Sequence, residues 1–224
     1  MDQDFAVDDV GLKCGMGMHQ GYIVATASQT DLLDELSRHT GEFTAGAVVE
    51  RTADAELDPG QFDLLLGEID GGAVLVDTSM ILSHSPDLIV TMSARLGTVV
   101  GCGAETVSGS YWLIAARDGT PLRYVFVSHA GMTRGMAMGE PLPSEDEHPV
   151  EDISGDGVFA AMAAFGLDPS GWLESGPATV VAYDFSRSPQ DGPIAAVRRE
   201  HYERYQRPDG EWLNEITAVV RDPS

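Results

Sequence analysis

At 224 residues, with 43% apolar and 22% charged residues, the chain has the composition of a folded globular protein, one large domain or two small ones. Charge is the outlier: 36 Asp and Glu stand against 13 Lys and Arg, giving a formal net charge of −23, and Lys13 is the sole lysine. Such a chain repels nucleic acid and anionic lipid, whose binding relies on Lys and Arg against phosphate, and it attracts cationic partners.

Residues 1–18 read as a flexible leader, with Asp2, Asp4, Asp8 and Asp9 ahead of Lys13, the reverse of a secretory or transit signal. No apolar run approaches the roughly 20 residues of a membrane span, so a cytoplasmic protein is expected. Tyr22 to Ala27 forms the first β-favouring run. Ser28 then stands as a helix cap with Asp31 three residues on, and Leu32, Leu33 and Leu36 carry a helical stripe to His39 and the stop at Gly41. Phe43 to Glu50 reads as another strand.

Phe62 to Ile69 and Ala73 to Asp77 form a hairpin across Asp70-Gly71-Gly72. Ser85-Pro86-Asp87 is a helix start, with a hydroxyl cap, a first-turn proline and an acid at the positive end of the dipole. Leu88, Met92 and Leu96 mark its inner face and Gly97 ends it. Thr98 to Cys102, Tyr111 to Ala116 and Leu122 to Val127 read as strands, the last two joined at Asp118-Gly119.

Residues 130–157 read as a long Gly/Met and acidic loop, enclosing Glu145-Asp146-Glu147 between Pro141 and Pro149. A short helix from Val158 to Phe165, stopped by Gly166, leads past Trp172 to a strand at Thr179 to Phe185. Ile194 to Arg207 reads as a helix, or its end at His201 to Tyr205 pairs across Pro208-Asp209-Gly210 with Trp212 to Val220. The expected fold is α+β: mostly antiparallel sheet with two or three short helices packed on one side. Its units are a leader 1–18, a core 19–129, the loop 130–157 and an extension 158–224 packed on the same core.

Standard chemical motifs are absent. Cys14 and Cys102 form no CxxC element and read as reduced thiols. Asp152-Ile153-Ser154-Gly155-Asp156-Gly157 has the opening rhythm of a calcium loop, but its twelfth position is Ala163 where a bidentate glutamate is needed; a helix cap is the better account. Gly101-Cys102-Gly103 is too short for a dinucleotide loop, and no phosphate loop or GxSxG elbow occurs. His19, His39, His84, His129, His148 and His201 stand singly; His129, at a strand end, is the best candidate base, with Cys102 as a possible neighbour. Neither a metal nor a cofactor is expected.

Two features suit binding. Between Thr52 and Ala94 the acids Asp54, Glu56, Asp58, Asp63, Glu68, Asp70, Asp77 and Asp87 occur with no Lys or Arg, a run able to present a negative face. Met132, Met136 and Met138 alternate with glycines, an adaptable apolar surface unless the loop tucks them into its own core. Opposite in sign, Arg198, Arg199, Arg204 and Arg207 cluster near the C-terminus, where they could contact the protein's own acids. The expected function is capture of a cationic protein, as by an acidic bacterial antidote or immunity protein masking a toxin. The alternatives are a ligand binder or enzyme with a non-standard site near Cys102 and His129, and a module whose charge is salt adaptation.

Overall fold

The computed structural model describes residues 19–40, 43–50, 62–105, 109–128, 136–150 and 155–183. Nine strands form one antiparallel sheet in the order β2-β9-β3-β4-β1-β5-β6-β7-β8. They are β1 His19–Ala25, β2 Thr44–Val49, β3 Phe62–Ile69, β4 Gly72–Asp77, β5 Thr98–Glu105, β6 Ser110–Arg117, β7 Thr120–Ser128, β8 Met136–Gly139 and β9 Ala178–Tyr183. The helices are α1 Gln29–Thr40, α2 Pro86–Leu96, α3 Gly155–Ala163 and α4 Ser170–Ser175.

The local signals act as the sequence predicts. Ser28 Oγ accepts the Asp31 N–H at 3.2 Å and donates to the Asp31 carboxylate at 2.6 Å, closing the first turn of α1. Ser85 caps α2 by accepting the Leu88 N–H, and Gly97 ends that helix at φ +77°. Asp118 and Gly119 both have positive φ, the backbone that a two-residue hairpin needs to match the strand twist.

The α+β, mostly antiparallel class holds. The helices, however, divide between the two faces instead of lying on one side. Ile23, Ala25, Ala73 and Leu75 point to the face covered by Leu32 and Leu36 of α1 and by Ile89 and Met92 of α2. Their neighbours Tyr22, Val24, Val74 and Val76 point to the opposite face, covered by Val158 and Met162 of α3 and Trp172 and Leu173 of α4. Strands apolar at every position have two faces to bury, and a helix layer on each side buries both.

The 130–157 segment is not one loop among its described residues. Met136–Gly139 forms the edge strand β8 on β7, with Phe126 opposite Met136 and Arg123 opposite Gly139. Arg123, 5% exposed, ties this segment down: it forms an ion pair with Glu145 and donates to the Gly139 carbonyl at 2.7 Å. Glu145 in turn accepts the Leu142 N–H at 2.9 Å. The turn signal at Pro141 to Pro149 was local; the ion pair spans 22 residues and is invisible to it.

Glycines let side chains lie flat on the sheet. A Cβ on Gly103 would overlap the Trp112 ring, and one on Gly67 would overlap that of Trp172. Gly103→Ala should therefore cost about 1–3 kcal/mol, the usual penalty of overpacking, read as a lower urea midpoint at unchanged slope. Gly171 of α4 has open space around its would-be Cβ, so Gly171→Ala should cost nothing and serves as the control.

Candidate functional site

Antiparallel pairing fixes which loops share an end of the sheet. Ala25, Ile69, Gly72, Thr98, Arg117 and Thr120 lie at one end, and Gly21, Asp77, Leu64, Glu105, Ser110 and Ser128 toward the other. The first end gathers exposed carboxylates from segments far apart in sequence: Asp31 in the first turn of α1, Glu50 after β2, Glu68 and Asp70 at the β3–β4 turn, Asp118 at the β6–β7 turn and Glu140 after β8. Nine strands at about 4.8 Å spread this acidic margin over roughly 38 Å. Among the described residues the exposed bases are Arg38, Arg95 and Arg117.

The acid-only run does not form one face. Glu68 and Asp70 lie at the acidic end, whereas Asp87 is exposed at the start of α2, a full β4 length away, roughly 17 Å. Asp63 lies in β3 opposite Ala182, toward the far end. Asp54, Glu56 and Asp58 lie outside the described residues. Asp77 is fully buried and withdrawn from any partner. Missing from the sequence reading were Asp31, Glu50, Asp118 and Glu140. The signal for them was present, because in a run of hairpins alternate connections fall on the same end of a sheet.

Beside this margin, α1 and α2 enclose a cleft of about 250 Å³ lined by Asp31, Asp34, Glu35, Arg38 and Arg95, with Thr26, Ala27 and Leu96. Glu35, 4% exposed, is enclosed by Arg95 Nε at 2.8 Å, Arg38 Nε at 3.5 Å and His39 Nε2 at 3.0 Å. Two of the three exposed arginines are thus committed to one buried carboxylate. Arg117 Nε donates to Thr98 Oγ1 at 2.8 Å.

Asp77 organises the loop that enters α2. Its carboxylate accepts from Ser79 N and Oγ at 3.1 and 2.6 Å, Leu82 N at 2.9 Å and Ser83 N at 2.8 Å. Burial nevertheless raises its pKa above the ordinary carboxylate value, the desolvation outweighing the hydrogen bonds that favour the charge.

The Cys102 and His129 pairing loses its chemistry at the cysteine. Cys102 is fully buried in β5 and burial pushes its thiol well up, the reverse of an activated nucleophile. His129 lies outside the described residues; Ser128 before it sits three rungs along and two strands across from Cys102. Met132 is also outside them, Met136 enters β8, and Met138 packs half-buried on the α1–α2 core, which takes it from any partner surface. Of the calcium-like segment, Asp156 is exposed in the first turn of α3. Among the described residues no group of three or more His, Cys, Asp or Glu side chains could hold a metal, and no helix is long and apolar enough to cross a membrane. His84 stacks on Phe126 at 5.4 Å and meets Trp112 at 5.0 Å. The Trp112 indole N–H is buried there without a hydrogen-bond partner.

Asp77→Ala should lose about 3–5 kcal/mol by stranding buried N–H donors, read by urea unfolding. Because the folded pKa is raised, the neutral form's stabilising contribution is present below the ordinary carboxylate range and fades as pH rises through the raised value. The unfolding free energy of the wild type minus that of Asp77→Asn should accordingly grow as pH falls from about 7 toward about 5; a flat difference would refute the assignment. No family model, curated protein or solved structure matches the chain, so its function is argued from its own residues.

Proposed function

We propose that the protein is a non-enzymatic protein-binding protein that captures a cationic partner, in the manner of an antidote or immunity protein masking a toxin. The observation that carries the reading is the surplus of exposed carboxylates at one end of the sheet. Asp31, Glu50, Glu68, Asp70, Asp118 and Glu140 are exposed there, while two of the three exposed arginines among the described residues are bound to Glu35. A margin roughly 38 Å wide matches the footprint of a protein better than that of a small molecule.

Electrostatics of this kind act mainly on encounter. Unneutralised carboxylates on fixed turns attract a basic surface before contact, and like-charged competitors are turned away. Asp70 and Asp118 sit on tight hairpin turns next to Gly71 and Gly119, so their backbone positions are fixed in advance of binding. Partner specificity then requires local fit along the margin.

The test uses the tagged full-length chain against the basic proteins of its source cell at about 50 mM salt. One basic protein should be retained in stoichiometric amount, with an association rate at least about tenfold slower at about 500 mM salt. Combined Glu68→Gln, Asp70→Asn, Asp118→Asn and Glu140→Gln should weaken capture while leaving the melting temperature nearly unchanged. Capture indifferent to both salt and the four substitutions would overturn the proposal. So would a chain that folds only in molar salt, which marks the charge as adaptation.

A further inference from the structure

We propose that the cleft between α1 and α2 binds a small zwitterion of the basic amino-acid class, its carboxylate against Arg38 and Arg95 and its side-chain cation against Asp34 and Asp31. The cleft holds about 250 Å³ and is lined by both signs of charge, with Ala27 and Leu96 adding apolar wall. Asp31, Asp34 and Arg38 recur on α1 at helical spacing with Glu35, and Arg95 comes from the last turn of α2. The two arginines share one atom: Arg95 Nε lies 2.8 Å and Arg38 Nε 3.5 Å from Glu35 Oε2. Two guanidinium groups, which stay protonated, therefore stand beside a single carboxyl group that can balance one of them at most. Both side chains are more than half exposed, and among the described residues neither makes another ion pair or hydrogen bond. Asp34 precedes Arg38 at the usual pairing distance on a helix, yet no ion pair joins Asp34 or Asp31 to either arginine, and Asp31 bonds instead to Ser28. Along α1 the two aspartates precede Arg38 by roughly 6 and 10 Å, at about 1.5 Å per residue.

Charge placement selects the ligand. A free phosphate or simple carboxylate would meet Asp31 and Asp34 in a chain of net charge −23, and a diamine would meet both guanidinium groups. A zwitterion satisfies both ends, and the guanidinium fork matches a carboxylate. An α-ammonium group sits beside its own carboxylate and cannot span roughly 6 Å, whereas the side-chain cation of lysine, ornithine or arginine can. Size agrees: about 250 Å³ falls below the roughly 300–1,000 Å³ of sites for drug-sized ligands and suits an amino acid. Glu35, 4% exposed, holds both Nε atoms before a ligand arrives, so little side-chain freedom is lost on binding. Such a site is independent of protein capture at the margin; either can exist without the other.

Titration of the full-length chain, followed by amide chemical shifts, tests the site. L-lysine and ε-aminocaproate, which keeps only the two terminal charges, should shift the Ala27, Arg38 and Leu96 amides with dissociation constants below about 10 mM. Caproate, which lacks the cation, and cadaverine, which lacks the carboxylate, should bind at least about tenfold more weakly. Arg95→Gln should weaken ε-aminocaproate about tenfold. Asp34→Asn should weaken it about threefold at an unchanged melting temperature, and decides the matter if Arg95→Gln fails to fold. The proposal is overturned if neither zwitterion moves those amides by about 10 mM, if caproate or cadaverine binds as tightly as ε-aminocaproate, or if Asp34→Asn keeps the wild-type affinity.

Discussion

The structure depends on the need to cover a sheet that is apolar on both sides. In β1, β4 and β5 consecutive residues are buried, Tyr22 to Ala25, Ala73 to Val76 and Val99 to Ala104, so each face carries an unbroken apolar surface. At about 25 cal/mol per Å², leaving either face in water would cost more than a domain's net stability. Two helix layers follow from that. The β1–α1 and α2–β5 connections supply one layer, and the segment from 155 to 175 crosses to supply the other. Gly67, Gly101 and Gly103 let the covering Trp172, Ile89 and Trp112 approach closely.

Sealing both faces displaces charge to the margins and forces the few interior ionisable groups into closed arrangements. Glu35 pairs with Arg38 and Arg95 and contacts His39, Glu145 pairs with Arg123, and Asp77 is held by backbone and hydroxyl donors. These groups hold segments in place: α1 to α2, the 139–146 segment to β7, and the loop before α2 to the end of β4. Several of the carboxylates left over, Asp31, Asp70 and Asp118 among them, stand on turns and helix starts, where water solvates them and a basic surface can reach them. The acidic end of the sheet is thus a consequence of how the core is built.

The parts of this fold readable from sequence are those set by neighbours a few residues apart. Ser28 with Asp31, Ser85-Pro86-Asp87, Asp70-Gly71-Gly72 and Asp118-Gly119 specify caps and turns by bonds within four residues, and the elements they bound occur where expected. β8 escaped notice because four residues, Met136 to Gly139, carry too little pattern; its pairing is decided by β7 and by Arg123 reaching Glu145. The division of helices between two faces was latent in the unbroken apolar runs of β1 and β4, which a one-sided sheet would have interrupted with polar residues.

Charge shows the same division. Short-range sequence pattern, with composition, determined that the chain is acidic, α+β and without a standard catalytic or phosphate-binding motif, because these are properties of residue type and short spacing. It could not tell Asp77 from Asp70, seven residues apart in one acid-only run. One is sealed under Leu82 and Ser83, and the other projects from a turn. Nor could it place Asp31, Glu50, Asp118 and Glu140 beside Glu68. Burial and adjacency are settled by which strands pair and which helices cover them, and pairing across tens of residues leaves no local mark. Tertiary structure decided both.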